Sequence, residues 1–457
     1  MKIPLAPPPL SVLLPRLGPK ELPRVLGLQL GPLVAGRYFH WDELRHRTAP
    51  QGLSHEAWWA GIKIARQGLL KPLPFQDKHK RPILFSMPDP VLRALHDIDR
   101  RMGGVVAMDK SIVSGEDRDR YLVSSLIEEA ITSSQLEGAA TTREEAKAML
   151  RSGRKPRDRS ERMILNNFRI MEHIRELRNE PLSPKMVLGM HRMVSEGALD
   201  DASAAGRLRR KNEKIRVMDT QHSVVLHDPP EAASLPERLK RLCAFANETD
   251  GEPFVHPVIR AILLHYMLAY DHPFVDGNGR TARALFYWSL ARSGYWLVEY
   301  VSISRLIKPA PAQYGRAYLH SETDDNDTTY FIIHQLSVIE RAIEALYDYL
   351  ARKTADQRSA ERLLRHAPGL ADQLNHRQLA ILSHALKHAG HGYTVESHRR
   401  SHRITLQTAR TDLLHLAHFK LLEQRKRGRA FVFYAPEDLR TRIESAAHRS
   451  MPTRTGR

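Results

Sequence analysis

Residues 272–283 read His-Pro-Phe-Val-Asp-Gly-Asn-Gly-Arg-Thr-Ala-Arg. They bring an imidazole, a carboxylate, two glycines and two arginines into one short stretch. Glycine allows successive backbone N–H groups to turn inward and form an anion nest. If a helix begins near Asn278, its positive end points to the same place. Arg280 and Arg283, three residues apart, then share a helix face and can both reach a phosphate chain. The stretch therefore predicts a nucleotide triphosphate site.

The same stretch supplies a base and a metal ligand. His272 is a proton acceptor with a suitable ordinary pKa, and Asp276 is a hard oxygen ligand for Mg²⁺. Nucleotidyl transfer depends mainly on positioning and on charge neutralisation, which a metal ion and two guanidinium groups can provide. The alternative is an ordinary capped turn before a solvated helix. Six side chains with definite chemical functions at fixed spacing argue against it. The only cysteine, Cys243, lies in an apolar stretch and is predicted to be a core residue.

At every defined position this stretch resembles the Fic motif, His-Pro-Phe-x-Asp/Asn-Gly-Asn-Gly-Arg-x-x-Arg. The resemblance implies an all-helical core and transfer of AMP from ATP to a protein hydroxyl. It implies that His272 deprotonates the target hydroxyl, that Asp276 holds Mg²⁺ and that Phe274 anchors the loop in the core. The implied phosphate-binding residues are Gly277, Asn278 and Gly279 for the α and β phosphates, Arg280 for the triphosphate and Arg283 for the γ phosphate. Relatives that transfer phosphate instead carry lysine at the position of Gly279, so the glycine argues against that reaction.

A second motif lies upstream, in a helical run from about 118 to 138. On spacing alone it predicts a helix end capped by Gly138, with Glu137 facing solvent. It also resembles the inhibitory helix motif of Fic enzymes, Ser/Thr-x-x-x-Glu-Gly/Asn, through Ser133, Glu137 and Gly138. The resemblance implies a salt bridge from Glu137 to Arg283 that leaves ATP in a non-productive pose. In some relatives the same glutamate aligns a water that removes AMP, and the sequence leaves both roles open.

Two further features concern the surroundings of this site. The segments 214–218 and 224–226 alternate apolar and polar residues around a polar turn, which predicts a β-hairpin. It is either an ordinary surface hairpin or, as the resemblance implies, a flap that pairs with the target by strand addition. Tyr314 lies where relatives place an adenine-pocket residue, although an aromatic residue at helical spacing is also typical of a core. His265, in an apolar helix, is predicted to be a hydrogen-bonded core histidine.

The C-terminal segment is predicted to be a winged helix. Leu379, Leu382 and Leu386 mark one helix, 395–402 a second, and Thr405 is a good N-cap for a third. A basic hairpin over 423–434 completes the order helix, helix-turn-helix, hairpin. Residues 356–457 hold 19 Lys and Arg against 9 Asp and Glu, a net +10 of the chain's +18. DNA contact is one interpretation, and protein docking or dimerisation is the other. The DNA-contacting residues would be Gln407, Thr408, Arg410 and Thr411 on the third helix and Arg425, Lys426, Arg427 and Arg429 on the wing.

Composition narrows the class of protein. The chain has 457 residues and 42% hydrophobic content, enough for two or three domains. One cysteine excludes a disulfide framework and favours a reducing, cytoplasmic compartment. No run approaches the ~18 consecutive apolar residues of a membrane helix, so no membrane partner is expected. The predicted fold is mainly α: an N-terminal accessory segment (1–100), a helical Fic core with a β-hairpin flap (101–355), and a winged-helix domain with a basic tail (356–457).

Two function hypotheses follow. In the first, the chain is an autoinhibited protein adenylyltransferase that uses ATP and Mg²⁺ to modify Ser, Thr or Tyr hydroxyls of a protein target or of itself. In the second, it removes AMP, or it is a DNA-binding regulator whose Fic core senses nucleotide. The intact His272, Asp276 and Arg283 favour the first, because a pure sensor does not need the base. Dimers are common in Fic enzymes, and the sequence leaves a homodimer open.

Overall fold

The computed structural model describes residues 2–19, 21–103, 115–219, 224–248, 254–295, 297, 301–365, 373–427 and 430–443. Contacts between Cα atoms group the chain into two compact units, each built from separated segments. The first comprises Met1–Gly104, Glu129–Ala140 and Asp158–Ala342, and the second comprises Val105–Glu128, Thr141–Arg157 and Ile343–Arg457. The division into three domains at residues 100 and 355 stays a prediction.

The described chain is mainly helical, as predicted from the sequence. Its α-helices are, in chain order, α1 (Leu10–Arg16), α2 (Glu21–Gly27), α3 (Trp41–Leu44), α4 (His55–Gln67), α5 (Asp89–Ile98), α6 (Gly115–Leu136), α7 (Arg143–Ser152), α8 (Arg159–Leu177), α9 (Pro184–Ser195), α10 (Leu235–Asn247), α11 (Pro257–Asp271), α12 (Asn278–Arg292), α13 (Ser304–Ile307), α14 (Pro311–Thr323), α15 (Thr329–Arg365), α16 (His376–Ala385), α17 (Val395–His402) and α18 (Leu406–His418). The strands are β1 (Lys71–Gln76), β2 (Pro82–Phe85), β3 (Val217–Asp219), β4 (Val224–His227), β5 (Gly392–Thr394), β6 (Glu423–Arg427) and β7 (Ala430–Tyr434). None of the helices in the described ranges is long and apolar enough to cross a membrane.

Helices α11 and α12 form the centre of the first unit. α11 is apolar around its whole circumference, the pattern of a helix buried on all sides, and nearly all of its residues are buried. α12 packs against α8, α9 and α11 and buries Trp288 and Leu285 completely. The six residues between the two helices, 272–277, are therefore held at both ends by rigid, buried elements. The predicted catalytic loop is this connection.

The predicted hairpin is present in the first unit. β3 and β4 pair antiparallel as a separate two-stranded sheet, with Met218 opposite Val225 and Asp219 opposite Val224. The side chain of Met218 is 42% exposed. The turn that joins the strands, residues 220–223, lies outside the described residues. Because neither strand has a second neighbour among the described residues, each keeps a backbone edge for pairing.

The C-terminal helices and strands belong to the second unit. β5, β7 and β6 form a three-stranded antiparallel sheet in that order. Leu382, Leu413, Leu416 and Phe433 form the centre of its hydrophobic core. The second helix has the predicted bounds, and the third begins after its predicted N-cap: Thr405 caps α18 by accepting a hydrogen bond from the Thr408 N–H at 3.1 Å. The sequence missed β5 because three residues are too few to show alternation.

The carboxylate of Asp412 on α18 links three helices of this unit. It accepts hydrogen bonds from Asn375 Nδ2 (2.8 Å), Arg377 Nε (2.6 Å) and His398 Nε2 (3.0 Å). Burial raises the pKa of Asp412, but these hydrogen bonds and the Arg377 charge outweigh it and hold the pKa below its ordinary value. One buried carboxylate thus joins α16, α17 and α18.

We expect Asp412→Asn to lower the opening free energy of α16–α18 by about 3 kcal/mol, because it leaves the Arg377 guanidinium without its anion. Asp438→Asn is the matched control, since that carboxylate is 58% exposed and, within the described ranges, pairs with Arg442 alone. It should cost less than about 0.5 kcal/mol. Amide hydrogen exchange measures each unit separately, so α11 and α12 should be unchanged in both variants. Equal protection of α16–α18 in the two variants would contradict the expectation.

Candidate active site

The loop 272–277 is shaped by two left-handed residues. His272 ends α11 at φ 44° and ψ 54°, and its N–H donates to the Leu268 carbonyl at 3.1 Å. Gly277 lies at φ 81° directly before α12, which begins at Asn278 as predicted. Glycine adopts this conformation readily, and histidine is among the few other residues enriched there. These two left-handed residues reverse the chain between α11 and α12. They therefore fix the backbone direction of His272 and Asp276 relative to both helices.

The His272 imidazole is oriented as a base. Its Nδ1 lies 3.2 Å from the Ala269 carbonyl, so Nδ1 carries the hydrogen and Nε2 is left as an acceptor. No described residue hydrogen-bonds to Nε2. Burial lowers the pKa of His272, and the hydrogen bond to Ala269 raises it by less, so the ring is neutral near pH 7. From the other side Arg209 Nε donates to the His272 carbonyl at 2.9 Å.

Asn278 closes the loop with its side chain. Its Oδ1 accepts from the Phe274 N–H at 3.0 Å, and its Nδ2 donates to the Phe274 carbonyl at 2.9 Å. Phe274 is completely buried, in agreement with its predicted role as an anchor. Because the Asn278 amide is occupied, a phosphate role for this residue can involve only its backbone N–H. The N–H groups of Asn278, Gly279 and Arg280 open α12 and have no acceptor within the helix.

Arg280 is fully buried beside this helix terminus. Its Nη1 donates to the Val194 carbonyl at 2.8 Å, and its Nη2 lies 3.7 Å from Asp276 Oδ2. Among the described residues, Nε and Nη2 have no hydrogen-bond partner. Burial lowers the pKa of Arg280, but a guanidinium stays charged at any physiological pH. A buried cationic donor without an acceptor is costly, and a phosphate oxygen would remove that cost.

Arg283 is paired with the upstream motif. Its Nε donates to Ser133 Oγ at 2.7 Å, and its Nη2 donates to the Ser133 carbonyl at 3.1 Å and to Glu137 Oε1 at 2.8 Å. Burial raises the pKa of Glu137, but the Arg283 charge outweighs it and keeps the pKa below its ordinary value. Gly138 follows the helix at φ 91°. The ion pair that the resemblance implied is thus present in the structure.

Glu137 also lies directly on the N-terminus of α12. A Cβ at Gly279 would overlap Oε1 of Glu137, so only glycine lets the carboxylate approach this closely. A carboxylate at a helix N-terminus is stabilised in the same way as a phosphate. Glu137 therefore covers both Arg283 and the backbone surface that would receive an anion.

The accessible carboxylate of Asp276 suits a Mg²⁺ ion that enters the site bound to a phosphate substrate. Its Oδ1 accepts from the Gly277 N–H at 2.6 Å, while Oδ2 lies 3.5 Å from Arg159 Nη2. The side chain is 39% exposed. Within the described ranges no three His, Cys, Asp or Glu side chains are grouped as metal ligands. Mg²⁺ commonly takes one or two carboxylates and completes its shell with water and phosphate oxygens, so one accessible carboxylate suits it.

Tyr314 lies in an aromatic cluster at the edge of the site. Its hydroxyl is 2.9 Å from His265 Nε2 and 3.1 Å from the Tyr318 hydroxyl. Burial raises the pKa of Tyr314, and the nearby Arg283 charge lowers it by less. The half-buried ring is therefore close to Arg283, and a contact with adenine stays a prediction. His265 is neutral because burial lowers its pKa to about 3, and only its Nε2 has a hydrogen-bond partner among the described residues.

Sequence reasoning missed three residues that hold the loop. Arg209 donates its N–H to the Pro273 carbonyl at 2.8 Å and its Nη2 to the Pro230 carbonyl. His227, at the end of β4, bridges the Tyr270 carbonyl and Glu322. His191 on α9 contacts Asp276. All three lie 45 or more residues before the loop, and no spacing pattern links them to it. Cys243 is buried as predicted, and burial raises the pKa of its thiol to about 12, so it is no nucleophile.

The part of the chain that contains this loop is similar in sequence to known proteins. Residues 181–290 match the model of the Fic/DOC family. The chain carries a Fic domain. The matched range contains α9 to α12 and the loop, whereas Glu137 and Tyr314 lie outside it.

The chain is also similar to curated relatives over part of its length. It is 41% identical over 83 residues to protein adenylyltransferase Fic of Nematostella vectensis, covering 18% of this chain and 19% of the relative. It is 38% identical over 111 residues to the protein of that name in Drosophila melanogaster (24% and 20%) and 35% over 117 residues to protein adenylyltransferase fic-1 of Caenorhabditis elegans (26% and 21%). The chain thus spans about a fifth of the length of these relatives.

Solved Fic structures resemble the chain at low identity. A Fic family protein from Desulfovibrio desulfuricans G20 matches with a TM-score of 0.48 and 17% identity, over 79% of this chain and 99% of that one. Fic-1 of Caenorhabditis elegans matches with a TM-score of 0.43 and 22% identity, over 57% and 72% of the two chains.

The His227 bridge predicts a pH-dependent contribution to stability. Burial lowers the pKa of His227, but the hydrogen bond and charge of Glu322 raise it more, so the pKa is above 6.5 in the folded protein. Both ring nitrogens face acceptors, 2.7 Å from the Tyr270 carbonyl and 2.8 Å from Glu322 Oε2, so only the imidazolium can donate to both. The contribution is complete below about pH 6.5 and is lost as the pH rises through the folded pKa.

We therefore expect the protection of the β3–β4 hairpin against hydrogen exchange to fall as the pH rises above about 6.5, after correction for intrinsic exchange. His227→Gln should remove this dependence. His173→Gln is the control, because His173 pairs with Glu176 on the surface of α8. A pH profile that survives His227→Gln would assign the effect to another group.

Proposed function

We propose that the chain is a protein adenylyltransferase that transfers AMP from ATP to a Ser, Thr or Tyr hydroxyl of a protein target. The observation that carries the proposal is the juxtaposition, in one Fic domain, of the acceptor Nε2 of His272 with the α12 N-terminus and the unsatisfied donors of Arg280. The names of the relatives that share the domain support it. AMP transfer is an activity of the whole protein, so it remains a proposal for this chain.

Each step of the proposed AMP transfer uses a side chain or backbone group of this site. The triphosphate lies at the α12 N-terminus, where the backbone N–H groups and Arg280 bind its oxygens. Nε2 of His272 takes the proton of the target hydroxyl while the hydroxyl oxygen forms a bond to the α phosphorus. The bond from that phosphorus to the bridging oxygen breaks, and pyrophosphate leaves with the electron pair. Mg²⁺, held by Asp276 and the phosphates, would neutralise charge on that leaving group.

We propose further that Glu137 keeps the site inactive. Arg283 is the implied γ-phosphate residue, and Glu137 already occupies it. A charge-assisted hydrogen bond of this kind contributes about 2 kcal/mol, so a γ phosphate competing for Arg283 would be weakened roughly 30-fold. Because Glu137 also covers Gly279, ATP has to displace it to reach the helix terminus. The alternative is AMP removal, in which the same carboxylate aligns a water.

The β3–β4 hairpin is the proposed docking strand for the target. An extended segment that pairs with its free edge would be held by backbone hydrogen bonds whatever its sequence. His227 joins the end of β4 to the last turn of α11, two residues before the catalytic base. A hydroxyl on the paired segment would thus be delivered towards His272. The target could be another protein or a second copy of the chain.

We also propose a cytoplasmic location, because the chain contains a single cysteine and therefore suits a reducing compartment.

We expect Glu137→Gly to raise the transfer of α-phosphate label from MgATP to protein by at least about 10-fold, because it frees Arg283. Intact mass should show AMP adducts, and His272→Ala should abolish them in this background. Glu180→Gly, an exposed glutamate outside the site, is the control. If ATP binds to Glu137→Gly but no label is transferred, the adenylyltransferase proposal fails. Release of AMP from a modified protein by the wild type would favour AMP removal.

We also propose that the C-terminal segment 356–457 is a winged helix that contacts DNA. Gln407, Arg410 and Thr411 on α18 are exposed, which supports the proposal, whereas Thr408 is half-buried. Arg425 and Lys426 are exposed on β6, although Arg425 pairs with Glu423 at 2.7 Å. The Arg427 side chain and Arg429 lie outside the described residues. Leu406 and Leu414, 58% and 38% exposed, lie one turn on either side of Arg410 and favour the competing protein-docking role.

Salt dependence separates these roles. If α18 contacts DNA, fluorescence anisotropy should show that affinity for a duplex falls steeply between low and physiological salt. Arg410→Ala should reduce the slope of log affinity against log salt by about 1, whereas Leu414→Ala should leave it unchanged. Binding that is absent at low salt, together with self-association lost in Leu414→Ala, would point to a protein interface.

A further inference from the structure

His191 is a fully buried histidine of α9 whose two nitrogens are both engaged. Nδ1 accepts from the Gly206 N–H at 3.0 Å, so the hydrogen of the neutral ring is on Nε2. Nε2 donates to the Asp276 carbonyl at 2.9 Å. The imidazole therefore cannot act as a base, and both of its hydrogen bonds have a fixed direction.

The same ring is stacked on the loop anchor. The rings of His191 and Phe274 are parallel within 2°, with centroids 3.7 Å apart. One imidazole thus contacts the loop at two points, the Phe274 ring and the Asp276 carbonyl. Three residues further along α9, the Val194 carbonyl accepts from Arg280. The C-terminal turns of α9 thus contact both the loop and the first turn of α12.

These contacts determine the orientation of one carboxylate. With its carbonyl held by His191, Asp276 directs Oδ1 back to the Gly277 N–H, at 2.6 Å. Oδ2 then lies 3.7 Å from Arg280 Nη2 and 3.5 Å from Arg159 Nη2. Without the His191 contact the peptide between Asp276 and Gly277 could rotate, because glycine tolerates many backbone angles. The carboxylate would then lose its fixed direction.

We propose that His191 is a positioning residue that orients the Asp276 carboxylate towards the metal of MgATP. It acts through the carbonyl of Asp276 and touches neither nucleotide nor metal. The proposal rests on the function proposed above, because the direction of Asp276 matters only if MgATP is the substrate. It predicts that loss of His191 weakens the contribution of Mg²⁺ to ATP binding and leaves binding of the phosphates to α12 intact.

The test is calorimetric binding of ATP with Mg²⁺ and with EDTA, in the Glu137→Gly background. His191→Phe keeps a flat ring on Phe274 but removes both hydrogen bonds. His320→Phe is the matched control, because His320 is also a buried, stacked histidine, with its ring 4.3 Å from that of His40. Relative to this control we expect MgATP to bind about 10-fold more weakly to His191→Phe, and ATP in EDTA to change by less than about twofold.

His191→Gln supplies an independent comparison, since its amide can donate to the Asp276 carbonyl. It should recover part of the Mg²⁺ contribution, and it replaces the phenylalanine variant, against His320→Gln, if thermal unfolding shows that His191→Phe does not fold. Equal MgATP affinity in His191→Phe and His320→Phe would overturn the proposal. So would an equal loss with Mg²⁺ and with EDTA, since that indicates general loop damage. Failure of Glu137→Gly itself to bind ATP would instead refute the proposed function.

Discussion

Two guanidinium groups are buried one turn apart on α12, and this constraint organises the first unit around the loop. A guanidinium cannot lose its charge, so every buried arginine needs acceptors nearby. The Val194 carbonyl of α9 serves Arg280, and Ser133 and Glu137 of the upstream segment serve Arg283. Among the described residues, Arg280 is only partly satisfied, and Glu137 supplies the one side-chain carboxylate bonded to Arg283. The first unit therefore has buried positive charge in place for the proposed phosphate binding.

The chemistry of the Glu137 contact limits how it can be released. Its pKa is held below the ordinary value, so the carboxylate stays charged across the physiological pH range. Protonation therefore cannot open the site there, and release requires either a competing anion or movement of the segment that carries Glu137. Substituting Gly279 would also affect the contact, since the carboxylate rests on that residue. The proposed inhibition and the proposed phosphate binding thus depend on the same backbone surface.

The sequence predicted those parts of the fold and site that depend on local pattern. The start of α12 at Asn278, the hairpin, the helices α17 and α18 and the partners of Arg283 were all accessible from spacing or resemblance. Side-chain contacts within the loop were not, because the closing bonds of Asn278 depend on a backbone reversal that spacing does not specify. His191, Arg209 and His227 were missed for a related reason. Each is an isolated residue, far away in sequence, whose role is defined only by a contact.

The histidines around the loop show why contacts, and not residue type, identify the base. His191 uses Nδ1 as an acceptor and Nε2 as a donor, so its ring has no unused nitrogen. His227 meets an acceptor at each nitrogen, which favours its cationic form and raises its pKa. His265 is sealed in the core with its Nε2 on Tyr314. Of these four histidines, His272 alone combines a neutral ring, a hydrogen fixed on Nδ1 and an Nε2 without a partner among the described residues. In the proposed reaction, the proton of an incoming hydroxyl would therefore be received at that atom.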